Sequence, residues 1–286
     1  MGVLMSDRTD SQVSSGRGSG LSLKIIIALV IAAFSLIGYF SQTSYNPVTQ
    51  QKQHVAITPD QEIALGLQSA PEMSHEYGGD ANDSAGQQRV SRIGQSIVAN
   101  SDAGKTPYKF QFHLLADNQT INAFALPGGQ VFITEGLYKR LNTPGELSGV
   151  LAHEIGHVVA RHSAQHIAKQ QLTQGLTGAA VLATYDPNDP KSRNTAEVAA
   201  LIGTVVNLKF GRNDELEADK LGVRFESDAG YDPRSMIKVM EILQNASKTR
   251  IPEFFSTHPN PEHRIERIKE AIAAKYPDGV PQGLKE

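Results

Sequence analysis

The spacing of apolar positions changes several times along the chain, and each change marks an element. Residues 1–20 are rich in Ser, Gly and Asp without any apolar period, which predicts a disordered tail. From Leu21 to Phe40 the chain is almost continuously apolar with Lys24 as its one charge, a length that matches a single membrane crossing. Gly38, Tyr39 and Phe40 end that run without a small-x-small cleavage site, so 21–40 is expected to be an uncleaved signal anchor rather than a removed signal peptide. Ser41 to Ile57 is polar, is interrupted by Pro47, and reads as a linker over 41–57.

Helical spacing then begins. Thr58, Pro59 and Gln61 form a capping box that opens a helix carrying Ile63, Leu65 and Leu67 and ending at Gly78-Gly79. A second helix from about Ser84 turns Val90, Ile93, Ile97 and Val98 inward. The period shortens to two from Tyr108 to Ala116, and 121–126 and 130–134 flank Pro127-Gly128-Gly129, which predicts a hairpin. Thr143, Pro144 and Glu146 cap the next helix, whose Leu147, Val150, Leu151, Ile155, Val158 and Val159 form a broad apolar face. Between Leu172 and Lys209 the apolar runs are too short to span a membrane and are broken by DPNDPKSRN, so a soluble helical hairpin or lid is expected there. Another helix should open after Gly211 with Asn213 as its cap and stop near Gly230. A further one begins at Asp232-Pro233 and turns Met236, Ile237, Met240, Ile242 and Leu243 mostly inward. FFSTHPNPEHR is a proline-interrupted loop leading to a last helix from about Pro261, and 277–286 reads as a polar tail. Together these elements predict an α+β class, mostly helical, with a small antiparallel sheet or hairpin beside the 144–159 helix and a folded domain over 58–276.

Composition narrows the function. A net charge of −3 argues against a nucleic-acid partner, and 40% hydrophobic content over 286 residues supports a real core. The chain has no cysteine, which excludes disulfides, thiolate metal sites, a cysteine nucleophile and a lipoprotein anchor. Arg8, Arg17 and Lys24 precede or begin the apolar span and the next basic residue is Lys52, so the amino terminus is expected in the cytoplasm and the folded domain in the periplasm or outside.

Within the capped helix, His153, Glu154 and His157 stand in the spacing H-E-x-x-H. Imidazoles four residues apart on a helix share a face and can reach one ion, most readily Zn2+, while Glu154 can act on a bound water as general base. Two ligands leave zinc incomplete, so a third must come from elsewhere. GRNDELEADKLG supplies the best stretch: Glu215 and Asp219 share a helix face while Glu217 points away, so Glu215 can bind metal and Asp219 can fix a ligand imidazole, against the plainer reading of a solvated acidic helix. In the hairpin, Asn122, Ala123 and Phe124 are the candidate edge for a substrate strand, against an ordinary core hairpin. His258 is a candidate donor to an oxyanion, or a plug for the open metal position, with Arg264 as an alternative donor. His162 and His166 form another i, i+4 pair, but without an adjacent carboxylate a second metal site is not expected. His75, next to Glu76 without a partner histidine, reads as a solvated helix end.

HEIGH, the later E-x-E-A-D after Phe210-Gly211-Arg212, NAFALPGGQVFITEGL and THPNPEHRI together resemble metallopeptidase family forty-eight, which holds the HtpX and CAAX prenyl proteases, over roughly Thr58 to Tyr276. Within it the chain looks most like the periplasmic quality-control proteases of the BepA and LoiP type. The resemblance implies a gluzincin-like zincin domain with one zinc per chain, His153, His157 and Glu215 as ligands, Glu154 as base and Asp219 as supporting carboxylate. It also implies unfolded or misassembled envelope proteins as substrates. The chain departs from that group in lacking a lipobox cysteine and any tetratricopeptide-like extension after residue 276. The competing function is a chaperone-like module that keeps its metal and binds unfolded proteins without cutting them; a purely structural zinc is disfavoured because such sites are usually closed by four ligands.

Overall fold

The computed structural model describes residues 23–184, 211–249, 251–258 and 263–286. The apolar run forms α1 (Leu23–Ser41), long and apolar enough to cross a membrane. The stretch expected to be a linker instead carries a small hairpin, β1 (Thr43–Asn46) and β2 (Gln51–His54). Its polar side chains are used: Asn46 and Gln53 are buried and donate to the carbonyls of Val159 and Ala160 at 2.7 and 2.8 Å.

The capping box at Thr58 is formed in both directions and starts α2 (Pro59–Glu76). Leu65 and Leu67 are exposed there, and the buried positions are Glu62 and Gly66, so the inward face is not an apolar one. The reason is what α2 covers. Glu62 takes the Tyr108 hydroxyl at 2.7 Å and the Arg161 Nε at 2.9 Å, and the helix lies on the turn that joins the hairpin strands. Gly128 in that turn has φ +80, and a Cβ on it would stand 2.3 Å from the Cα of Ile63, so only glycine fits.

Next come α3 (Ser84–Asn100), β3 (Gln111–Leu115), β4 (Ala123–Leu126), β5 (Gln130–Thr134), the single turn α4 (Glu135–Tyr138) and α5 (Pro144–Val159). The hairpin β4–β5 is antiparallel as expected, but β3 pairs parallel to β5, so the sheet is mixed with order β3-β5-β4. The outer side of β3 is closed. Gln87 on α3 donates to Phe112 O and accepts from Leu114 N, both at 2.8 Å, and Gln95 donates to Phe110 O at 2.8 Å.

α5 packs against α3, β4 and β5 and is buried along nearly its whole length. Thr143 caps it as expected, whereas the Glu146 carboxylate accepts from Asn142 N rather than from the N-cap itself. Arg161, at φ +58, reverses the chain into α6 (His162–Thr184), which lies against α1. The remainder of the expected 172–209 hairpin or lid lies outside the described residues. α7 (Arg212–Asp228) starts two residues earlier than expected, with Gly211 rather than Asn213 at its cap, and crosses α5 at glycines on both partners. A Cβ on Gly156 would meet Ala218 O at 2.9 Å, and one on Gly222 would meet His153 N at 3.2 Å. This close approach brings the side chains of the two helices together.

α8 (Ser235–Ser247), the short α9 (Phe254–Thr257) and α10 (Arg264–Lys275) complete the core, with Met236, Met240, Leu243, Ile268 and Ile272 buried. Pro261, the expected start of the last helix, lies outside the described residues. The polar tail docks back: Lys285 N donates to Gly230 O at 3.0 Å and Asp232 N to Lys285 O at 2.9 Å. The fold is thus α+β and mostly helical.

One core group titrates. Glu226 of α7 is fully buried, accepts from Ser148 Oγ at 2.8 Å, and burial pushes its carboxyl well above the usual value of 4.5, with Asp232 adding to the rise. Its contribution to stability is full below the unfolded value and is lost as pH rises through the raised folded value. Glu226→Gln keeps an acceptor for Ser148 and removes the ionisation. Thermal melts from about pH 6 to about pH 9 should show wild-type stability falling relative to the variant, and parallel curves would contradict a raised Glu226.

Candidate active site

Four side chains with metal-binding atoms meet where α5 crosses α7: His153, His157, Glu215 and His258, their ligand atoms all within 4.8 Å of one another. They are buried, and no other such group of three or more occurs among the described residues. His153 Nε2 and His157 Nε2 stand 3.1 Å apart, Glu215 Oε2 lies 3.6 Å from the first and Glu215 Oε1 3.4 Å from the second. Two ligands bound tetrahedrally at zinc distances are separated by about 3.3 Å. In this triangle the two imidazoles stand at the spacing of neighbouring ligands on one ion, and Glu215 faces each of them with a different oxygen at a similar spacing. Its carboxylate contacts are long for hydrogen bonds, and both Glu215 oxygens are buried without a hydrogen-bond donor. A cation satisfies them, so the donor set fits a nitrogen- and oxygen-bound zinc.

The electrostatics follow from burial and neighbours. Burial works against an ionised Glu215, but its contacts with His153 and His157 outweigh that and hold the carboxyl far below the usual range. Burial would lower His153, yet Asp219 and Glu215 overcome it and lift the ring to about 9. His157 is pushed down to about 3 by burial together with the charge of His153. Glu154, fully buried with no hydrogen-bond donor on either oxygen, is raised to about 7 by burial and by the Glu215 charge.

Asp219 Oδ1 lies 2.9 Å from His153 Nδ1, on the opposite side of the ring from the triangle. Arg264, the alternative to His258 as an oxyanion donor, is turned towards two carboxylates. Its Nε and one terminal nitrogen donate to Asp219 at 2.7 and 2.8 Å, and the other terminal nitrogen stands 3.1 Å from Glu215. A guanidinium held by two carboxylates is a brace for them, and that reassigns Arg264. His258 Nε2 is 3.6 Å from Glu154 Oε1, with its ring stacked on Phe254. Glu217 does point away from the triangle, as expected, but it is bound: its Oε2 is 3.2 Å from His162 Nε2. His166, the other member of the second histidine pair, meets Asp214 Oδ2 at 2.9 Å. His75 is exposed at the end of α2.

The β4 strand runs beside α5 at the sheet edge. Thr134 N donates to Asn122 O, so strict alternation turns the main chain of Asn122, Phe124 and Leu126 toward β5 and that of Ala123 and Ala125 outward. Just before them, Ile121 O accepts from Phe254 N at 3.1 Å. The Asn122 side chain does not face outward but donates to Tyr77 Oη at 3.2 Å, while the Tyr77 hydroxyl donates to Glu253 at 2.5 Å. Phe124 packs its ring between Tyr77 and Phe132. The segment carrying His258 is thereby tied to the β4 edge at its base, a connection without a sequence signature.

Residues 84–272 match Peptidase family M48. The chain is 34% identical over 196 residues to the beta-barrel assembly-enhancing protease of Escherichia coli K12, an alignment covering 64% of this chain and 38% of that protein. It is 32% identical over 236 residues to the mitochondrial metalloendopeptidase OMA1 of Schizosaccharomyces pombe, covering 81% of this chain and 67% of that one. The alignment thus takes in well under half of the Escherichia coli relative. Because the matched segment runs from the first residue of α3 into α10 and takes in both helices that meet at the site, the chain belongs to peptidase family M48.

Proposed function

We propose that the chain is a membrane-anchored zinc endopeptidase that hydrolyses peptide bonds in misfolded or misassembled envelope proteins. The observation that carries this is the buried triangle of His153, His157 and Glu215 beside a Glu154 carboxylate with no donor of its own. A zinc ion held by the three supplies a Lewis acid that acidifies water and polarises the scissile carbonyl. Glu154, raised to about 7 and with no hydrogen bond on either oxygen, takes the proton of the attacking water and returns it to the leaving amine. Asp219 and Arg264 hold His153 and Glu215 in place. The outward main-chain groups of Ala125, on the partly exposed half of β4, receive substrate as an added strand on the sheet edge that the α3 glutamines leave alone, whereas those of Ala123 are buried.

His258 acts as a plug rather than as an oxyanion donor. It completes the four-membered ligand group and is 1% exposed, and its segment already holds Ile121 O at the start of the substrate edge. The anchor reading, with the domain on the far side of the membrane from residue 1, rests on α1 and on the basic residues preceding it. The choice of envelope substrates draws on the likeness to the beta-barrel assembly-enhancing protease of Escherichia coli.

The test is hydrolysis of unfolded casein by the full chain in detergent, with and without a chelator. Cutting that stops on chelation is expected, and His258→Ala should cut faster than wild type. Binding of casein without cutting would favour a chaperone-like module. A slower His258→Ala enzyme would return that residue to the oxyanion.

A further inference from the structure

α5 and α6 are joined by a reversal that places a second histidine behind the first pair. Arg161 adopts a left-handed backbone, φ +58, which is unfavourable for a non-glycine residue. Its side chain secures the turn through Glu62, and through Ile57 O at 2.7 Å. The next residue, His162, is 1% exposed, and its Nδ1 stands 2.8 Å from His157 Nδ1. Its other nitrogen, Nε2, stands 3.2 Å from Glu217 Oε2 on α7.

The proton count along this chain is fixed by chemistry. Two ring nitrogens at hydrogen-bond distance share one proton. His157 faces the triangle through Nε2, so binding a metal there requires its lone pair on Nε2 and its proton on Nδ1. His162 must then accept at Nδ1, which leaves its own proton on Nε2, where an ionised Glu217 accepts it. We propose that His162 and Glu217 are positioning residues for metal binding, setting the tautomer and ring orientation of His157 as Asp219 does for His153. The proposal rests on His153, His157 and Glu215 being the metal ligands. The two devices differ in kind. Asp219 is a carboxylate in direct contact with its ring, whereas Glu217 acts through an intervening neutral imidazole, which keeps a second negative charge away from His157.

A plain tether between α6 and α7 is the competing explanation, and the next turn supplies its control. His166 and Asp214 bridge the same two helices at 2.9 Å, one turn further along α6 from His162. Zinc affinity is measured on the full chain in detergent by competition with a chromophoric chelator. His162→Leu is expected to bind zinc about tenfold to a hundredfold more weakly, the range found when partners of ligand histidines are removed. His162→Asn, whose amide oxygen can accept where Nδ1 did, should recover most of that loss. Glu217→Lys replaces the acceptor by a donor, drives His162 into the opposite tautomer and sets two N–H groups against each other, so it should weaken zinc comparably. Its side chain is 22% exposed, so it decides the matter even if His162→Leu does not fold. His166→Leu should bind as wild type does. Wild-type affinity in both His162→Leu and Glu217→Lys would overturn the proposal, as would an equal loss in His166→Leu. His157→Ala separates the two levels: if it keeps wild-type zinc affinity, the ligand assignment itself fails, whereas its loss alongside an unaffected His162→Leu and Glu217→Lys defeats only the positioning role.

Discussion

Glu154→Gln keeps its zinc and loses casein hydrolysis by about a thousandfold, within the span ascribed to a positioned general base. The expectation follows from the pocket. Glu154 is 0% exposed, neither oxygen accepts a hydrogen bond, and burial together with the Glu215 charge raises its carboxyl to about 7. Glutamine fills the same volume and leaves His153 and His157 untouched, so metal retention should not change, but an amide cannot take a proton from water. Initial rates on casein and zinc content after gel filtration measure the two halves separately. A variant with zinc and wild-type rates would remove Glu154 from the chemistry.

Glu215→Ala should weaken zinc binding by more than about a hundredfold, beyond the loss expected for a positioning partner. It removes the only carboxylate corner of the triangle, whose oxygens lie 3.4 and 3.6 Å from the two imidazoles. The scaffold should survive the change. Arg264 keeps its two hydrogen bonds to Asp219 at 2.7 and 2.8 Å, so the guanidinium does not become an uncompensated buried charge, a situation that would cost about 3–5 kcal/mol. Chelator competition together with a thermal melt of the metal-free chain checks both statements. Zinc held as tightly as in wild type by a folded Glu215→Ala chain would mean that another group completes the site.

The parts of this site that were readable from sequence are those carried by helical spacing. The caps at Thr143 and the i, i+4 relations of His153 with His157 and of Glu215 with Asp219 are local, so α5 and the inner face of α7 could be drawn before any coordinates. What joins them was not local. The crossing depends on Gly156 and Gly222, which in sequence are only two glycines among many. Arg264 was read as facing a reaction intermediate because nothing in its neighbourhood showed the two carboxylates waiting on α7. The polar stretch 41–57 was read as a linker because Asn46 and Gln53 look solvent-loving, yet they donate to the carbonyls of Val159 and Ala160 at the end of α5, the second of which Gln165 also serves. On α2 the buried face is built around Glu62 and its partners Tyr108 and Arg161, contacts that the local sequence does not show. The parallel pairing of β3 with β5 was likewise invisible, because alternation predicts a strand but not its neighbour.

The most direct test of the central claim is an anomalous-scattering map at the zinc edge from crystals of the zinc-loaded chain. The expected result is one strong peak between α5 and α7, about 2 Å from His153 Nε2, His157 Nε2 and an oxygen of Glu215. A peak elsewhere, or one from which Glu215 is out of bonding reach, would contradict it.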